Sequence, residues 1–524
     1  MSLSPRARLD KSKSLQNSQK VRATYISIKR IVNNIAISFV GQLVTWTSTL
    51  LLIVAYGRFL GDVKFGELYF ASSFVGLLGS PIESGFSRQI TRDVAQDIGK
   101  ALSYLYNTLL IKVVLWLALY GLILLLSYLL GYDMEQRILV AICGLTLLSA
   151  SIASTFGSLH IAFERVLIPT VGSILEKGLS ALIGVLVLRQ GAGVEVMAFV
   201  LLGGSVANAI WQASGFFCLV GVGFAIDWAL IRGLVRTSIT FMVYGVLGVI
   251  YYRIDTILLS LMTNTAVVGW YGAGYRLFDT LNFLPALLMP PIMFPIFSKL
   301  STTSEERLRL AIEKSMNFLL FFSIPIAMGL IVATPNIVGF LYHQPEFTHT
   351  IPVLQALAPG LVFLNVDAVL GTILVGTKRE KKIPIMAAIA LVFNLGLNLI
   401  LIPVYQDVGA AIATSLTELL LVGIAIVFIP KHLLPLGSLS VGVKSLVASL
   451  VMAVAILLLS TFQILVILPV AMLVYFGTAT LLRTIPREDI QELYRAIRLK
   501  AHRASTPPPA EPQEEESQKP EVPQ

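Results

Sequence analysis

The sequence predicts an all-α polytopic membrane protein, with about fourteen transmembrane helices arranged as two six-helix lobes and a C-terminal pair. Three observations predict it. Of 524 residues, 56% are hydrophobic and 13% are charged, where soluble domains run near a quarter charged. Apolar runs of about 18 residues or more, enough to cross a bilayer as helix, recur along the chain. Runs such as VVLWLALYGLILLLSYLL, from Val113, are apolar on every face, whereas a barrel strand alternates apolar and polar residues.

The elements follow in order. Residues 1–30 carry eight basic side chains against the single acid Asp10 and no long apolar run, which describes a solvated cytoplasmic arm. Residues 31–225 form the expected N-lobe, with spans Ile31 to Tyr56, Phe65 to Phe86, Ser103 to Leu130, Ile138 to Ala162, Leu167 to Leu188 and Val196 to Val220. Residues 226–430 form the expected C-lobe, with spans Ile231 to Leu261, Val267 to Phe297, Ala311 to Val332, Ile351 to Val375, Ile383 to Ile402 and Gly409 to Ile429. Residues 431–485 hold the last two, Val441 to Leu459 and Ile464 to Leu482. Beyond them Ile490, Leu493, Tyr494 and Ile497 fall at helical spacing among Arg487, Arg495, Arg498 and Lys500, which predicts an interfacial amphipathic helix over 486–503. Residues 504–524 are rich in Pro and Glu and cannot bury a core, so a disordered tail is expected.

Loop charge tests that count independently of hydropathy. With both termini cytoplasmic, the inner loops hold Arg88, Arg92, Lys100, Arg165, Arg232, Arg236, Lys299, Arg307, Arg309, Lys378, Arg379, Lys381, Lys382 and Lys431. The outer loops hold only Arg58, Lys64, Arg137 and Arg189. This is the positive-inside pattern, and one span more or fewer would scramble it. It also accounts for the net charge of +9 without nucleic acid.

A repeat is visible within the first twelve spans. KFGELYFASSFVGLLGSPIES, from Lys64, and VVGWYGAGYRLFDTLNFLPAL, from Val267, share a G-x-x-Y or G-W-Y start and a Pro about fifteen residues on, at an offset of about 203 residues. A parallel repeat of six spans implies two lobes related by a pseudo-twofold axis along the membrane normal, with substrate between them.

Ionisable side chains within spans are disfavoured by about 2.5 to 3.5 kcal/mol, so each is paired, faces an aqueous cavity or sits near an interface. The densest group is Arg253 and Asp255 in YYRIDTILLS with Arg276 and Asp279 in YGAGYRLFDTLNF. These residues read either as two structural ion pairs or as a cavity wall whose guanidiniums bind a phosphate bidentately while the acids tune them. Glu83, in GSPIESGFSR, follows Pro81 and reads as the matching face of the first lobe; Arg88 beside it is a cavity cation or a positive-inside anchor. Glu176 and Lys177 are adjacent in SILEKGLS and point about 100° apart, as a pair or as cavity lining. Lys112 reads as a snorkelling residue, and Asp367 and Glu418 as helix-packing groups. Pro285, Pro290, Pro291 and Pro295 interrupt one span four times, which makes a bent or hinged helix.

Other chemistry is missing from the sequence. Cys143 and Cys218 sit in separate apolar segments and read as packing residues, and His343 and His349 have no third ligand in view, so neither a metal nor another cofactor is expected. There is no P-loop, no H-E-x-x-H and no nucleophile elbow, and no loop is long enough for a catalytic domain. The chain therefore does not read as an enzyme.

The opening NNIAISFVGQLVTWTSTLLLIVAYGRFLGDVKFGELYFASSFVGLLGSPIESGFSRQITRD resembles the start of bacterial polysaccharide-biosynthesis flippases, and YRIDTILLS and GWYGAGYRLFD resemble their seventh and eighth spans. These belong to the multidrug, oligosaccharidyl-lipid and polysaccharide exporter superfamily. The resemblance covers about Ile31 to Arg483. It implies two lobes around a partly cationic cavity that alternates between inward-open and outward-open states in the bacterial cytoplasmic membrane. The implied cargo is a polyprenyl-diphosphate-linked oligosaccharide, carried by a single copy of the chain beside a glycan polymerase and glycosyltransferases. On the matching positions it implies Arg253 and Arg276 as cavity cations, with Arg58 and Arg88 added, and Asp255, Asp279 and Glu83 as pairing or ion-coupling acids, a role Glu176 could share. A sodium- or proton-driven exporter of the same superfamily is the alternative, although such exporters carry acids in the first span and Ile31 to Tyr56 has none. A membrane enzyme of glycan assembly would require a large outer loop, and the longest, about Pro335 to Thr350, is short.

Overall fold

Helix is the one regular structure among the described residues, as a chain in lipid must satisfy its backbone polar groups within each segment. A computed structural model describes residues 34, 36–83, 85–221, 223, 224 and 226–484. The expected arm (1–30), interfacial helix (486–503) and tail (504–524) lie outside the described residues.

The N-terminal set comprises α1 (Ala36–Phe59), α2 (Gly61–Glu83), α3 (Phe86–Gln96), α4 (Ala101–Leu129), α5 (Met134–Ala162), α6 (Leu167–Arg189) and α7 (Val194–Val220). The C-terminal set comprises α8 (Trp228–Met262), α9 (Thr265–Leu281), α10 (Phe283–Leu288), α11 (Phe294–Thr303), α12 (Glu305–Tyr342), α13 (Thr350–Gly376) and α14 (Ile383–Phe428), followed by α15 (Ser438–Leu458) and α16 (Ile464–Leu481). In the first set α5 packs on α2, α4 and α7; in the second α13 packs on α9, α12 and α14, and α15 lies against α12 and α16. The exterior is apolar: Leu129 is 65% exposed, Leu458 78% and Leu481 84%. Water would not tolerate that surface, and acyl chains suit it.

By length and apolarity the described chain offers twelve candidate spans, against the fourteen expected. They differ in two places. The 46 residues of α14 would run about 69 Å as one rod, more than twice the hydrocarbon core. The backbone instead leaves the helix at Gln406, with φ 51°, and Asn394 donates to Thr417 Oγ1 at 3.2 Å across the resulting hairpin. The second place is α2, whose Asp62, Lys64 and Glu67 lower its hydropathy although it is packed among α5, α8 and α9.

Local sequence explains the remaining breaks. Gly85, at φ 95°, turns the chain between α2 and α3 in a region where only glycine is at ease. Over α3 the polar Arg88, Thr91 and Arg92 alternate with buried Phe86, Ile90 and Val94 at helical spacing. The proline-rich segment is interrupted as its sequence predicts. α9 stops at Leu281, and a π-helical turn spans Met289–Met293 between α10 and α11, where each Pro lacks an N–H for the ladder. Cys143 is partly buried, and Cys218, read as a packing residue, is exposed on the apolar exterior.

One expectation is overturned within the N-terminal set. Lys112 does not snorkel; it is 1% exposed and its ammonium lies 3.3 Å from Glu83 Oε1. It also donates to Ser151 O at 3.1 Å and Ser154 Oγ at 2.9 Å, and Ser154 donates to Glu83 Oε2 at 2.6 Å. A charge held this deep persists because every donor has an acceptor. Lys112→Met is expected to destabilise the protein by about 2 kcal/mol, less than a fully buried pair because Glu83 is 37% exposed. The fall in thermal midpoint of the purified protein checks this; an unchanged midpoint would show that the pair does not hold α2, α4 and α5 together.

Candidate functional site

The centre of the molecule is organised by the crossing of α2 and α9. A Cβ added to Gly66 would meet Thr265 O and stand 2.8 Å from Gly269 N, and one added to Gly269 would meet Asp62 O and stand 3.2 Å from Gly66 N. Gly269 follows Gly66 by 203 residues (269 − 66), and Thr265 follows Asp62 by the same 203 (265 − 62). Each glycine therefore contacts the repeat-equivalent of what its partner contacts, the reciprocity of a twofold interface. The contact joins the ends of the two sets where α1 passes to α2 and α8 to α9. Around it Trp270 Nε1 donates to Asp62 Oδ2 at 2.9 Å, Trp270 stacks on His349 at 4.1 Å, and Tyr342 donates to Ala273 O at 3.1 Å.

Beside the crossing lies a cavity of about 200 Å³. Its polar lining includes Tyr56 of α1, Tyr69 and Ser72 of α2, Glu176 and Lys177 of α6, and Arg276 of α9, with the hydroxyls of Thr49, Thr146 and Ser180. Arg276 is the one lining residue from the C-terminal set, and its guanidinium sits 5.4 Å from the centre of the Tyr69 ring. The cationic edge thus rests on an aromatic face instead of a carboxylate. Lys177 Nζ lies 2.7 Å from Glu176 Oε1, and Asn208 donates to Glu176 Oε2 at 2.8 Å while Gln212 donates to Asn208 at 2.7 Å. Glu176 is thereby fixed from behind by α7.

The four residues of the densest sequence cluster lie close by, but not as ion pairs. Among the described residues none of Arg253, Asp255, Arg276 and Asp279 has an ion-pair partner within 4.0 Å. Asp255 is 3% exposed and accepts from Tyr271 Oη and from Thr256 N, the latter at 2.7 Å. Arg253 is partly buried, and its Nη1 is buried without a hydrogen-bond partner. Asp279 is exposed. The structural ion-pair reading of these residues is therefore not what the geometry shows.

The other predicted residues are elsewhere. Arg58 does not line the cavity: Nε donates to Leu341 O at 2.6 Å and Nη2 to Phe340 O at 2.7 Å, so it closes the C-terminus of α12, where a cation meets the negative end of the helix dipole. Arg88 stands exposed on α3, away from the cavity. Glu83 is engaged with Lys112 and Ser154 as above, and the four prolines sit on α10, α11 and the turn between them. Sequence reasoning left Glu176 and Lys177 open between a pair and cavity lining, and they are both: Lys177 Nζ meets Glu176 Oε1, and the two residues line the cavity together. The long lysine stem reaches the cavity from a neighbouring position on α6. Sequence reasoning set aside Glu418, which is 2% exposed and accepts from Tyr251 Oη at 2.7 Å. Asp367, in the same set, has a buried Oδ1 without a partner.

Comparison with known proteins bears on what this arrangement serves. Residues 31–301 match the model of the family described as polysaccharide biosynthesis protein. The chain is 23% identical over 370 residues to a probable low-salt glycan biosynthesis flippase of Haloferax volcanii, Agl15, covering 70% of this chain and 76% of that protein. It is 28% identical over 192 residues to an uncharacterized membrane protein of Methanocaldococcus jannaschii, covering 35% and 37% of the two. Among solved structures it superposes on lipid II flippase MurJ in an inward closed conformation, with TM-score 0.70 and 18% identity, over 85% of this chain and 98% of that one. It superposes on an inward-facing multidrug resistance MATE transporter with TM-score 0.61 and 14% identity, over 74% and 96%. The fold is shared with both.

The glycine crossing makes a direct prediction. Gly66→Val and Gly269→Val each push a branched side chain into the partner helix backbone, so the two helices are forced apart beside the cavity. In protein with Cys143 and Cys218 replaced by Ala, a cysteine placed at Ser72 is expected to react about tenfold faster with an impermeant thiol reagent added on the α1–α2 side, a shift of roughly 1.4 kcal/mol in opening. An unchanged rate would mean that the crossing does not close the cavity.

Proposed function

Since the chain belongs to the polysaccharide biosynthesis protein family, we propose that it is a transporter which flips a polyprenyl-diphosphate-linked oligosaccharide across the cytoplasmic membrane by alternating access. The observation that carries this reading is one cavity beside the α2–α9 crossing, lined by both Lys177 of the N-terminal set and Arg276 of the C-terminal set. An anion held between them is bound by both sets at once. A diphosphate supplies paired acceptor oxygens for a guanidinium fork and a lysine point charge, while Tyr69 backs the guanidinium and the partly buried Tyr56 lines the same cavity.

The energetics favour such a cargo. Arg276 has no carboxylate partner, so removing it from water is not repaid within the protein. Arriving phosphate repays it, and the cavity then binds its substrate without relying on the sugar. Arg253, with one unpartnered nitrogen on α8, would join the anion as the sets shift; Asp255 and Asp279 would tune the two guanidiniums. The interrupted segment from α9 to α11, with Pro285, Pro290, Pro291 and Pro295, would be the hinge. Glycan polymerase and glycosyltransferases would be its neighbours, and one copy of the chain would suffice. The probable flippase role of the Haloferax relative supports the glycan cargo, and α1 offers no carboxylate for the ion coupling that a drug exporter would need there.

Complementation of a flippase-deficient cell tests this. Wild type is expected to restore surface polysaccharide and clear the accumulated lipid-linked precursor. Arg276→Ala and Lys177→Ala, at equal membrane abundance, are expected to lose about tenfold or more of that activity, the loss of one charge-assisted contact. Rescue by both variants would remove these residues from the path. No rescue by wild type in hosts with varied glycans would move the exporter reading ahead.

A further inference from the structure

The two helix sets are joined by residues 221–227, and this connection exposes an unusual amount of apolar surface. Phe224 is 76% exposed, Ile226 43% and Trp228 71%. Asp227 has extended backbone angles, φ −130° and ψ 107°, and in extended chain alternate residues share a side. Ile226 and Trp228, on either side of Asp227, therefore share a side and, with exposed Phe224 two residues before them, make up an apolar row along the chain. The row is held in place from behind: Asp227 N donates to Asn107 Oδ1 at 2.9 Å, the Phe224 ring packs on Tyr106 at 5.2 Å, and the Asp227 carboxylate accepts from Ala229 N and Leu230 N to start α8.

The row continues onto α8 with a change of chemistry. At 100° per residue, Trp228, Arg232, Val235 and Ile239 fall within about 60° of one another, and all four are exposed. Arg236, one turn after Arg232, is exposed beside them, and neither arginine has an ion-pair or hydrogen-bond partner among the described residues. On the opposite face Leu234 is fully buried and Ser238 is 2% exposed, donating to Gln89 of α3. The strip lies where α7, a candidate span, ends and where α8 leads into its own. Aromatic side chains with adjacent arginines at that depth fit the boundary between acyl chains and phosphates. Arg253 falls on the same face of α8, about 31 Å further along.

We infer that Phe224, Ile226, Trp228, Arg232 and Arg236 form a docking strip for the diphosphate head of the lipid-linked substrate, with Phe224, Ile226 and Trp228 against the polyprenyl chain and Arg232 and Arg236 on the phosphates. The inference rests on the flippase reading and adds a first binding step outside the central cavity. One helix then carries both the boundary pair and the central Arg253, so a phosphate captured at the foot of α8 already lies on the face that leads to the cavity. The commitment to substrate over bulk phospholipid follows from the guanidinium pair: two forks one helical turn apart match two linked phosphates better than the single phosphodiester of a phospholipid.

The test uses the full chain in nanodiscs of zwitterionic lipid. The emission of Trp228, taken as the difference between wild type and Trp228→Phe, is followed as a polyprenyl diphosphate is added. A saturable change is expected. Its midpoint should weaken by about tenfold or more in Arg232→Ala/Arg236→Ala, recover substantially in neither Lys replacement, and hold within about twofold in Arg253→Ala/Arg276→Ala, whose lesions lie in and beside the cavity. Phosphatidylglycerol should need about tenfold more to give the same change. An equal response to phosphatidylglycerol, or a midpoint indifferent to Arg232 and Arg236, would overturn the docking strip. Because the cavity variant reports separately, failure of the central site leaves this signal intact, and failure of the strip leaves complementation by the wild type intact.

Discussion

Everything central in this protein depends on the close approach of Gly66 and Gly269. Two transmembrane helices meet backbone to backbone only where neither carries a side chain, and here the two glycines are copies of one position in a repeat of 203 residues. A contact made by equivalent residues has no preferred partner. Under the proposed alternating access, either set would pivot on it, and the two ends of the molecule would exchange roles while the helices within each set keep their packing. The surrounding ring of Trp270, Asp62, His349 and Tyr342 adds hydrogen bonds and stacking that are broken together when the crossing opens.

The cavity inherits its character from that crossing. Charges deep in the first set are neutralised locally, as Lys112 is by Glu83 and two serines. Beside the junction Lys177 is likewise paired with Glu176, but among the described residues Arg253 and Arg276 have no carboxylate partner within 4.0 Å. A paired cation holds its own helices, whereas an unpaired one in low dielectric is a standing demand for an anion. The demand sits on the C-terminal set and meets a cavity otherwise lined by the N-terminal set, so under the proposed mechanism an arriving anion would favour the arrangement in which the two sets enclose it.

Much of this was legible in the sequence, and what was not has physical reasons. The repeat offset of about 203 residues, read from Gly-aromatic starts and a trailing proline, coincides with the residues in contact. The broken helix at Pro285 to Pro295 follows from missing N–H groups, a property of composition alone. The cluster of Arg253, Asp255, Arg276 and Asp279 was visible too, because charges in apolar runs stand out. Partner choice was not visible. Arg58 closes a helix end 283 residues away, Asp255 takes Tyr271 and Thr256 in preference to an arginine, and Lys177 reaches the cavity along its own stem. Such choices depend on side-chain direction across helices, which neither periodicity nor loop charge encodes. The span count shows a similar limit: a hairpin within α14 and the polar start of α2 separate the hydropathy reading from the helices present.

Alternating motion of the two helix sets about the α2–α9 crossing is the central claim, and paired spin-label distances test it most directly. One pair, Gln190→Cys with Glu346→Cys, spans the sealed end; the other, Arg165→Cys with Lys381→Cys, spans the opposite end, all four sites being exposed. On adding a lipid-linked oligosaccharide to protein in nanodiscs, the account predicts opposite changes, the first distance lengthening and the second shortening. Distances that stay fixed, or move in the same direction, would contradict it.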